Sequence, residues 1–215
     1  MFRKGPKEPE IVQTPAPTLP DSANREAIVT VSTVFPKFLA AVARVERPVL
    51  LDLGPAVGSN VDFFGGRFAC KLYIENLFLD IEAASRSGSH DALEAALLGR
   101  LDQGPDSVDG ILCWDLFDFL DRPLVTAVAA RLSTLLRQGG AVYGFFGTTP
   151  IELKQYTRYV IDRDDRFCLR REPASPISRD VLMTRDINKM FDQLTVTDSV
   201  LLKTSTRETL FRRLD

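Results

Sequence analysis

The sequence has few cysteines and histidines. Its three cysteines, Cys70, Cys113 and Cys168, are widely spaced and form no Cys-x-x-Cys pair. We therefore expect buried, reduced thiols in a cytoplasmic protein, and neither a disulfide nor a zinc site. The single histidine, His90, lies in a Ser-Gly-Ser-His-Asp segment typical of a turn, and we assign it no catalytic role. No metal site is predicted.

Long hydrophobic runs and an excess of basic charge are also missing. No apolar stretch approaches the ~20 residues that span a bilayer, and no apolar segment follows the charged start, as a secretory signal would require. The 27 Lys and Arg residues against 29 Asp and Glu residues give a net charge of −2, which argues against a nucleic-acid partner. We expect no membrane contact, and the oligomeric state is not indicated.

Prolines are concentrated near the amino terminus, where Pro6, Pro9, Pro15, Pro17 and Pro20 occur with few large apolar residues. Such a segment cannot bury enough surface to offset its chain entropy, so residues 1–21 are predicted to be a disordered, proline-rich tail. Residues 22–215 are predicted to be a single domain. Helical spacing of apolar residues between positions 23 and 45 predicts one or two helices that cap it.

Short apolar runs then alternate with amphipathic segments. Strands are predicted at residues 48–53, 69–74, 108–114 and 141–146, and helices at residues 60–65, 79–98 and 122–137. This alternation predicts an α/β fold with a doubly wound, mostly parallel sheet and helices on both faces.

The last third of the chain has a different pattern. Residues 156–161 and 167–171 are predicted to form a β-hairpin, and residues 178–194 a helix. Two final strands, residues 196–202 and 206–211, are joined by a connection too short for a parallel crossover. The sheet should therefore end in an antiparallel carboxyl-terminal hairpin.

One segment carries a chemical signal. Asp52 ends the first predicted buried strand, and Gly54 and Gly58 follow in a turn that opens a helix. Gly54 would let the backbone approach a ligand, and Gly58 would let the helix pack closely on the strand. Glu75 ends the next strand, roughly 20 residues after the loop, where an acid can accept both hydroxyls of a ribose.

These features together resemble the class I S-adenosylmethionine-dependent methyltransferases. The segment Asp52-Leu53-Gly54-Pro55-Ala56-Val57-Gly58 resembles the family's acid and glycine loop, and Glu75 matches its ribose-binding acid. The resemblance covers residues 48–214 and implies S-adenosylmethionine as cofactor, with Asp52 orienting its methionine end. Trp114 and Asp115 would line the junction between cofactor and substrate. The implied cofactor-binding residues are Asp52, Gly54, Pro55, Ala56, Gly58, Glu75, Asn76, Trp114 and Asp115.

The sequence departs from the family pattern at several positions. Ala56 replaces the middle glycine, and Pro55 removes an amide donor beside it. The family's third strand is not evident, and Asp102 or Asp106 would have to supply the acid that contacts adenine. Trp114-Asp115-Leu116-Phe117 stands in place of an Asn/Asp-Pro-Pro-aromatic motif, which argues against methylation of exocyclic base nitrogens.

Two functions are compatible with these residues. The first is methyl transfer from S-adenosylmethionine to a small-molecule or protein acceptor, with no catalytic base identified. The alternative is a non-catalytic relative that serves as a scaffold or binds a partner. A nicotinamide-dependent dehydrogenase is disfavoured because Ala56 and Ser59 stand where its loop needs glycines.

Overall fold

A computed structural model describes residues 11–13, 28–87, 90–178, 180–191 and 193–214. It contains a seven-stranded main sheet and a smaller three-stranded sheet. The main sheet consists of β1 Ile11–Gln13, β3 Val49–Asp52, β4 Lys71–Ile74, β5 Val108–Trp114, β6 Leu136–Gly147, β9 Thr195–Leu201 and β10 Thr206–Arg212. The small sheet consists of β2 Ile28–Val31, β7 Glu152–Arg163 and β8 Arg166–Ser178.

The main sheet has the strand order β1-β4-β3-β5-β6-β10-β9. The first five strands are parallel, and β10 is antiparallel to both β6 and β9. The predicted doubly wound, mostly parallel sheet with an antiparallel final hairpin is therefore confirmed.

Helices cover both faces of this sheet. They are α1 Phe35–Val42, α2 Gly58–Arg67, α3 Phe78–Ser87, α4 His90–Arg100, α5 Arg122–Leu135 and α6 Thr184–Asn188, with a 3₁₀ helix at Leu116–Phe119. Because successive strand residues point to opposite faces, Leu50 packs with α1 and α2 while Leu51 packs with α3, α4 and α5. The predicted helix 122–137 begins at its expected cap, where the Asp121 carboxylate accepts the Leu124 N–H at 3.0 Å.

The edge strand β1 comes from a segment that the sequence assigned to the disordered tail. Ile11–Gln13 pairs in parallel with β4, at the edge position where a doubly wound sheet places its third parallel strand. The apolar, β-branched Ile11 and Val12 suit a strand, and the free edge of β4 offers unpaired backbone groups. The rest of the predicted tail, residues 1–10 and 14–21, lies outside the described residues.

Two helix predictions need correction. Ile28–Val31 was expected within a helical cap but forms β2, because consecutive β-branched residues favour a strand and β8 provides a partner. The predicted helix 178–194 is, among its described residues, helical only at Thr184–Asn188. Its first residue instead ends β8, where Ser178 pairs with Glu152 of β7. The expected helix 35–42 does form, as α1.

The small sheet lies across the carboxyl-end edge of the main sheet. Asn60 of α2 attaches one of its strands: its amide donates to the Tyr159 carbonyl at 2.9 Å and accepts the Ile161 N–H at 2.8 Å. Glu82 of α3 attaches another, since its carboxylate accepts the N–H and hydroxyl of Ser175. The small sheet is thus attached to helices on both faces of the main sheet.

The described cysteines carry free thiols; Cys70 and Cys113 are buried, as expected, whereas Cys168 is half-buried. No helix among the described ranges is both long enough and apolar enough to cross a membrane.

Candidate cofactor and ligand site

The glycine loop and the predicted ribose-binding acid lie at the carboxyl ends of adjacent strands. Asp52 ends β3, and the Glu75 N–H immediately after β4 donates to the Asp52 carbonyl at 2.7 Å. Glu75 is buried, with 6% of its surface exposed, and it makes a further interaction besides this hydrogen bond. The structure therefore brings Asp52, Gly54 and Glu75 together, as the spacing predicted.

The space in front of Gly54 is filled by the indole of Trp114. A methyl group built on Gly54 would lie 2.5 Å from Trp114 Cδ1, so only glycine permits this contact. The indole N–H donates to Asp52 Oδ1 at 2.6 Å, and the Gly54 N–H donates to the same oxygen at 2.9 Å. The space at Gly54, where the sequence predicted that the backbone would approach a ligand, is therefore occupied by a side chain.

Aromatic stacking holds the indole in place. Its ring is nearly parallel to that of Tyr159, with centroids 5.1 Å apart, and Tyr159 stacks in turn on Phe145 at 4.7 Å. Only 3% of Trp114 is exposed. Its φ is +50°, in the left-handed region that residues with a large side chain rarely adopt.

Burial dominates the electrostatics of Asp52. The carboxyl is 3% exposed, and this burial raises its pKa to about 6 although the hydrogen bonds from Gly54 and Trp114 act to lower it. Near neutral pH Asp52 is thus an anion that the indole N–H helps to stabilise.

The rest of the predicted loop is more open. Ala56, Gly58 and Ser59 are exposed, whereas Pro55 is buried. A methyl group built on Gly58 would meet no atom within 4 Å, so the expectation that Gly58 allows close helix–strand packing is wrong. Asn76, which follows Glu75, has a buried side-chain oxygen without a hydrogen-bond partner among the described residues.

A cavity of about 160 Å³ lies on the other side of the Trp114–Tyr159 pair, between the small sheet and the edge of the main sheet. One face of β7 forms a wall, because the alternate residues Leu153, Gln155, Thr157 and Tyr159 all line it. The opposite wall includes Asp115 and other residues that follow β5.

Asp115 lines this cavity and is 8% exposed. Its Oδ1 atom has no hydrogen-bond partner among the described residues. Burial, and then the charge of Asp118, raise the pKa of Asp115 to about 7, although the Thr157 and Tyr159 hydroxyls act to lower it. Asp115 is therefore poised between its neutral and charged forms at neutral pH.

Three residues of this region were not found from the sequence. Asp118 accepts the Gly147 N–H at 2.9 and 3.0 Å with its two oxygens, and Tyr159 and Phe145 continue the stack from Trp114. Asp118 follows Asp115 by three residues in the Trp-Asp-Leu-Phe-Asp segment, and this spacing could have indicated that the two carboxyl groups lie close together. No comparable signal exists for Tyr159.

Neither candidate for an adenine-contacting acid lies near the site. Asp102 and Asp106 are exposed and precede β5, at the amino-end edge of the sheet. Asp106 forms an ion pair with Arg213 there. The arginines of the hairpin also have acidic neighbours, since Asp162 lies within 4 Å of both Arg163 and Arg166, as expected for a solvent-exposed face.

Comparisons with known proteins show the fold. No protein-family model and no curated protein sequence matches the chain. Among solved structures, the chain is similar to the PH0226 protein from Pyrococcus horikoshii OT3, with a TM-score of 0.51 and 12% identity over 84% of this chain and 87% of that one. It is also similar to an S-adenosylmethionine-dependent methyltransferase from Clostridium acetobutylicum ATCC 824, with a TM-score of 0.50 and 13% identity over 86% and 93%. The chain therefore has the class I S-adenosylmethionine-dependent methyltransferase fold.

Proposed function

We propose that the protein transfers a methyl group from S-adenosylmethionine to a small-molecule or protein acceptor, and that Trp114 closes its cofactor site in the structure described above. The observation that carries this proposal is the juxtaposition at one sheet edge of the bare Gly54 backbone, Glu75 on the neighbouring strand, and a cavity beyond Trp114. The fold supports the same conclusion, because ligands of doubly wound sheets bind outside the carboxyl ends of the strands.

The residues at this edge can accommodate the nucleoside end of the cofactor, whereas the indole occupies the place of its methionine end. On the nucleoside side, Glu75 would accept the ribose hydroxyls, and the exposed loop residues and the unpartnered Asn76 oxygen leave polar groups for a ligand. On the methionine side, the Trp114 indole donates to Asp52, as the cofactor's ammonium group would. The indole and the methionine end cannot be bound together, so the indole must leave for the cofactor to enter.

The cost of this displacement can be estimated. Removing a buried tryptophan side chain from its packing costs about 3–5 kcal/mol, and each 1.4 kcal/mol corresponds to a factor of ten in affinity. Relaxing the left-handed backbone at Trp114 returns about 1 kcal/mol or more of that cost. The closed site should therefore bind its cofactor about a hundredfold more weakly than a site without the indole.

The chain's own residues have defined tasks once the site is open. S-adenosylmethionine supplies a methyl group already activated on a sulfonium, so the protein mainly has to align an acceptor and exclude water. Asp52 would hold the ammonium end, and Glu75 the ribose. Tyr159, Thr157 and Asp115 would position the acceptor in the cavity, where Asp115 Oδ1 is available to accept a proton.

The packing of Trp114 also favours a second candidate, a non-catalytic scaffold. A ring that is 97% buried, stacked and hydrogen-bonded to Asp52 stabilises the closed form of the protein. In this case the ring would be a permanent core residue in a site that has lost its cofactor.

Calorimetric titration with S-adenosylhomocysteine separates these two functions. The wild-type protein, Trp114→Ala and Glu75→Gln would be compared, with Glu94→Gln on the exposed side of α4 as the matched control. Methyl transfer predicts weak binding by the wild type and by the control, binding about a hundredfold tighter by Trp114→Ala, and weaker binding by Glu75→Gln. Absence of binding at millimolar ligand by a folded Trp114→Ala protein would establish the scaffold instead.

A further inference from the structure

The cavity beside Trp114 combines acidic and aromatic groups in a way that defines a ligand class. Asp115 and Asp118 line one side of it, and Phe145 and Tyr159 contribute aromatic rings. Both oxygens of Asp118 already accept the Gly147 N–H. Asp115 lines the same cavity, and its Oδ1 atom is buried without a hydrogen-bond donor among the described residues.

An unpartnered buried carboxylate oxygen is unfavourable unless a ligand supplies the missing donor. A protonated amine supplies both a donor and a compensating positive charge, and such charge-assisted hydrogen bonds are among the strongest in proteins. The missing donor and the negative charge of Asp115 together favour a cationic group at this end of the cavity.

The remaining walls define the other part of the ligand. Apolar surface is contributed to the same cavity by Phe119, Leu153 and Leu169. Such surface favours the hydrocarbon part of an organic ligand over a bare metal ion. The volume of about 160 Å³ is close to that of a ~150 Å³ protein cavity able to hold benzene. A single ring or a short hydrocarbon chain attached to the amine therefore matches the space.

We propose that this cavity binds a small organic amine, with its ammonium group on Asp115 Oδ1 and its hydrocarbon part against the apolar wall. Resting on the proposed function, this makes the methyl acceptor an amine nitrogen. Methyl transfer needs the nitrogen lone pair, so the bound ammonium must first lose a proton, and Asp115 Oδ1 takes it. The carboxylate becomes a neutral carboxyl group and the ammonium a neutral amine. The amine nitrogen then bonds to the methyl carbon while the bond from that carbon to the cofactor's sulfur breaks, so the product amine carries the positive charge and the cofactor leaves as a neutral thioether.

The pH dependence of binding should follow from the groups around Asp115. These are Asp118 on the 3₁₀ helix, Thr157 and Tyr159 on β7, and the exposed Arg171 on β8. Because the pKa of Asp115 lies at about 7, a cation binds its charged form best. Affinity should therefore rise between pH 6 and pH 8 while the amine itself stays protonated.

The test uses benzylamine and its neutral counterpart benzyl alcohol as probes, titrated into the full chain without cofactor. The wild-type protein should bind benzylamine at least tenfold more tightly than benzyl alcohol at pH 7.5. Asp115→Asn should abolish that preference, whereas Asp102→Asn, at the opposite sheet edge, should preserve it. Binding of benzyl alcohol verifies that the cavity of the variant is intact.

The outcomes distinguish this inference from the proposed function. Equal binding of the two probes by the wild type, or an unchanged preference in Asp115→Asn, would overturn the amine site whatever the cofactor titration gives. A charge-dependent preference together with no binding of S-adenosylhomocysteine by Trp114→Ala would retain the amine site and refute methyl transfer. Binding of both ligands supports both.

Discussion

Because the pKa of Asp115 is raised, the free energy of unfolding should depend on pH. The variant Asp115→Asn separates the contribution of this carboxyl group from those of other residues. The group has a pKa of about 7 in the folded protein against the ordinary value of 3.8. Between these two values the folded state holds a proton that the unfolded state has released. The free energy of unfolding therefore falls as the pH rises from about 4 to about 7, and levels off above that.

The size of the effect follows from the same two values. One pKa unit corresponds to 1.36 kcal/mol, so Asp115 should remove about 4 kcal/mol of stability across this pH range. An asparagine at this position is neutral at every pH. Asp115→Asn should therefore match the wild type near pH 4 and exceed its free energy of unfolding by about 4 kcal/mol at pH 8.

Urea denaturation followed by circular dichroism, repeated from pH 4 to pH 8.5, measures this difference. Asp52, with a pKa of about 6, lowers the stability of both proteins over part of the range, so only the difference between them reports on Asp115. The exposed Asp102→Asn variant should differ from the wild type by the same small amount at every pH. A wild-type-to-Asp115→Asn difference that does not change with pH, or that changes in the opposite direction, would refute the assignment.

Two further predictions concern packing at the same site. Gly54→Ala should lower the free energy of unfolding by about 1–3 kcal/mol, because its methyl group would overlap the Trp114 ring. Combined with Trp114→Ala it should cost far less than in the wild type, and additive losses in a double-mutant cycle would contradict the contact. Asn60→Ala should cost about 2–3 kcal/mol through the loss of its two buried backbone hydrogen bonds. Hydrogen exchange should then accelerate at the Ile161 N–H, which loses its acceptor, and unchanged protection there would contradict the anchoring role.

The central sheet was predictable from the sequence because its strands are local patterns. Residues 49–52 and 108–114 are nearly continuous apolar runs, and the structure buries them on both faces. The same kind of local signal fixed the cap of α5 at Asp121. Strand β1 was missed because its partner, β4, is far along the chain and its own apolar run is only two residues long.

The error at residues 178–194 has a different origin. Leu182, Ile187, Phe191 and Leu194 are all buried, as their helical spacing predicted. A chain that is mostly non-helical nevertheless brings them to the core, because the long pairing of β8 with β7 fixes where the segment starts. Burial was therefore predictable from the pattern, whereas the backbone conformation depended on a tertiary contact.

At the site, sequence spacing was sufficient to place Asp52, Gly54 and Glu75 but not to give the direction of Trp114. The left-handed backbone at Trp114 turns the indole towards Gly54, and the next side chain, Asp115, lies in the cavity instead. Stacking on Tyr159, from the inserted sheet, stabilises that arrangement. A pattern restricted to residues near position 114 contains neither the backbone angle nor the partner ring.

This arrangement links the two halves of the site through one backbone position. Trp114 and Asp115 are consecutive, so we expect a change in the Trp114 backbone that withdraws the indole from Gly54 to move Asp115 as well. Tyr159 contacts both residues, since its ring stacks on the indole and its hydroxyl forms a hydrogen bond with Asp115. We therefore expect a ligand at Gly54 and a ligand in the cavity to change each other's affinity, and any such change must be reciprocal. In a methyltransferase this linkage would open the cofactor site and set the acceptor's carboxylate partner in one movement.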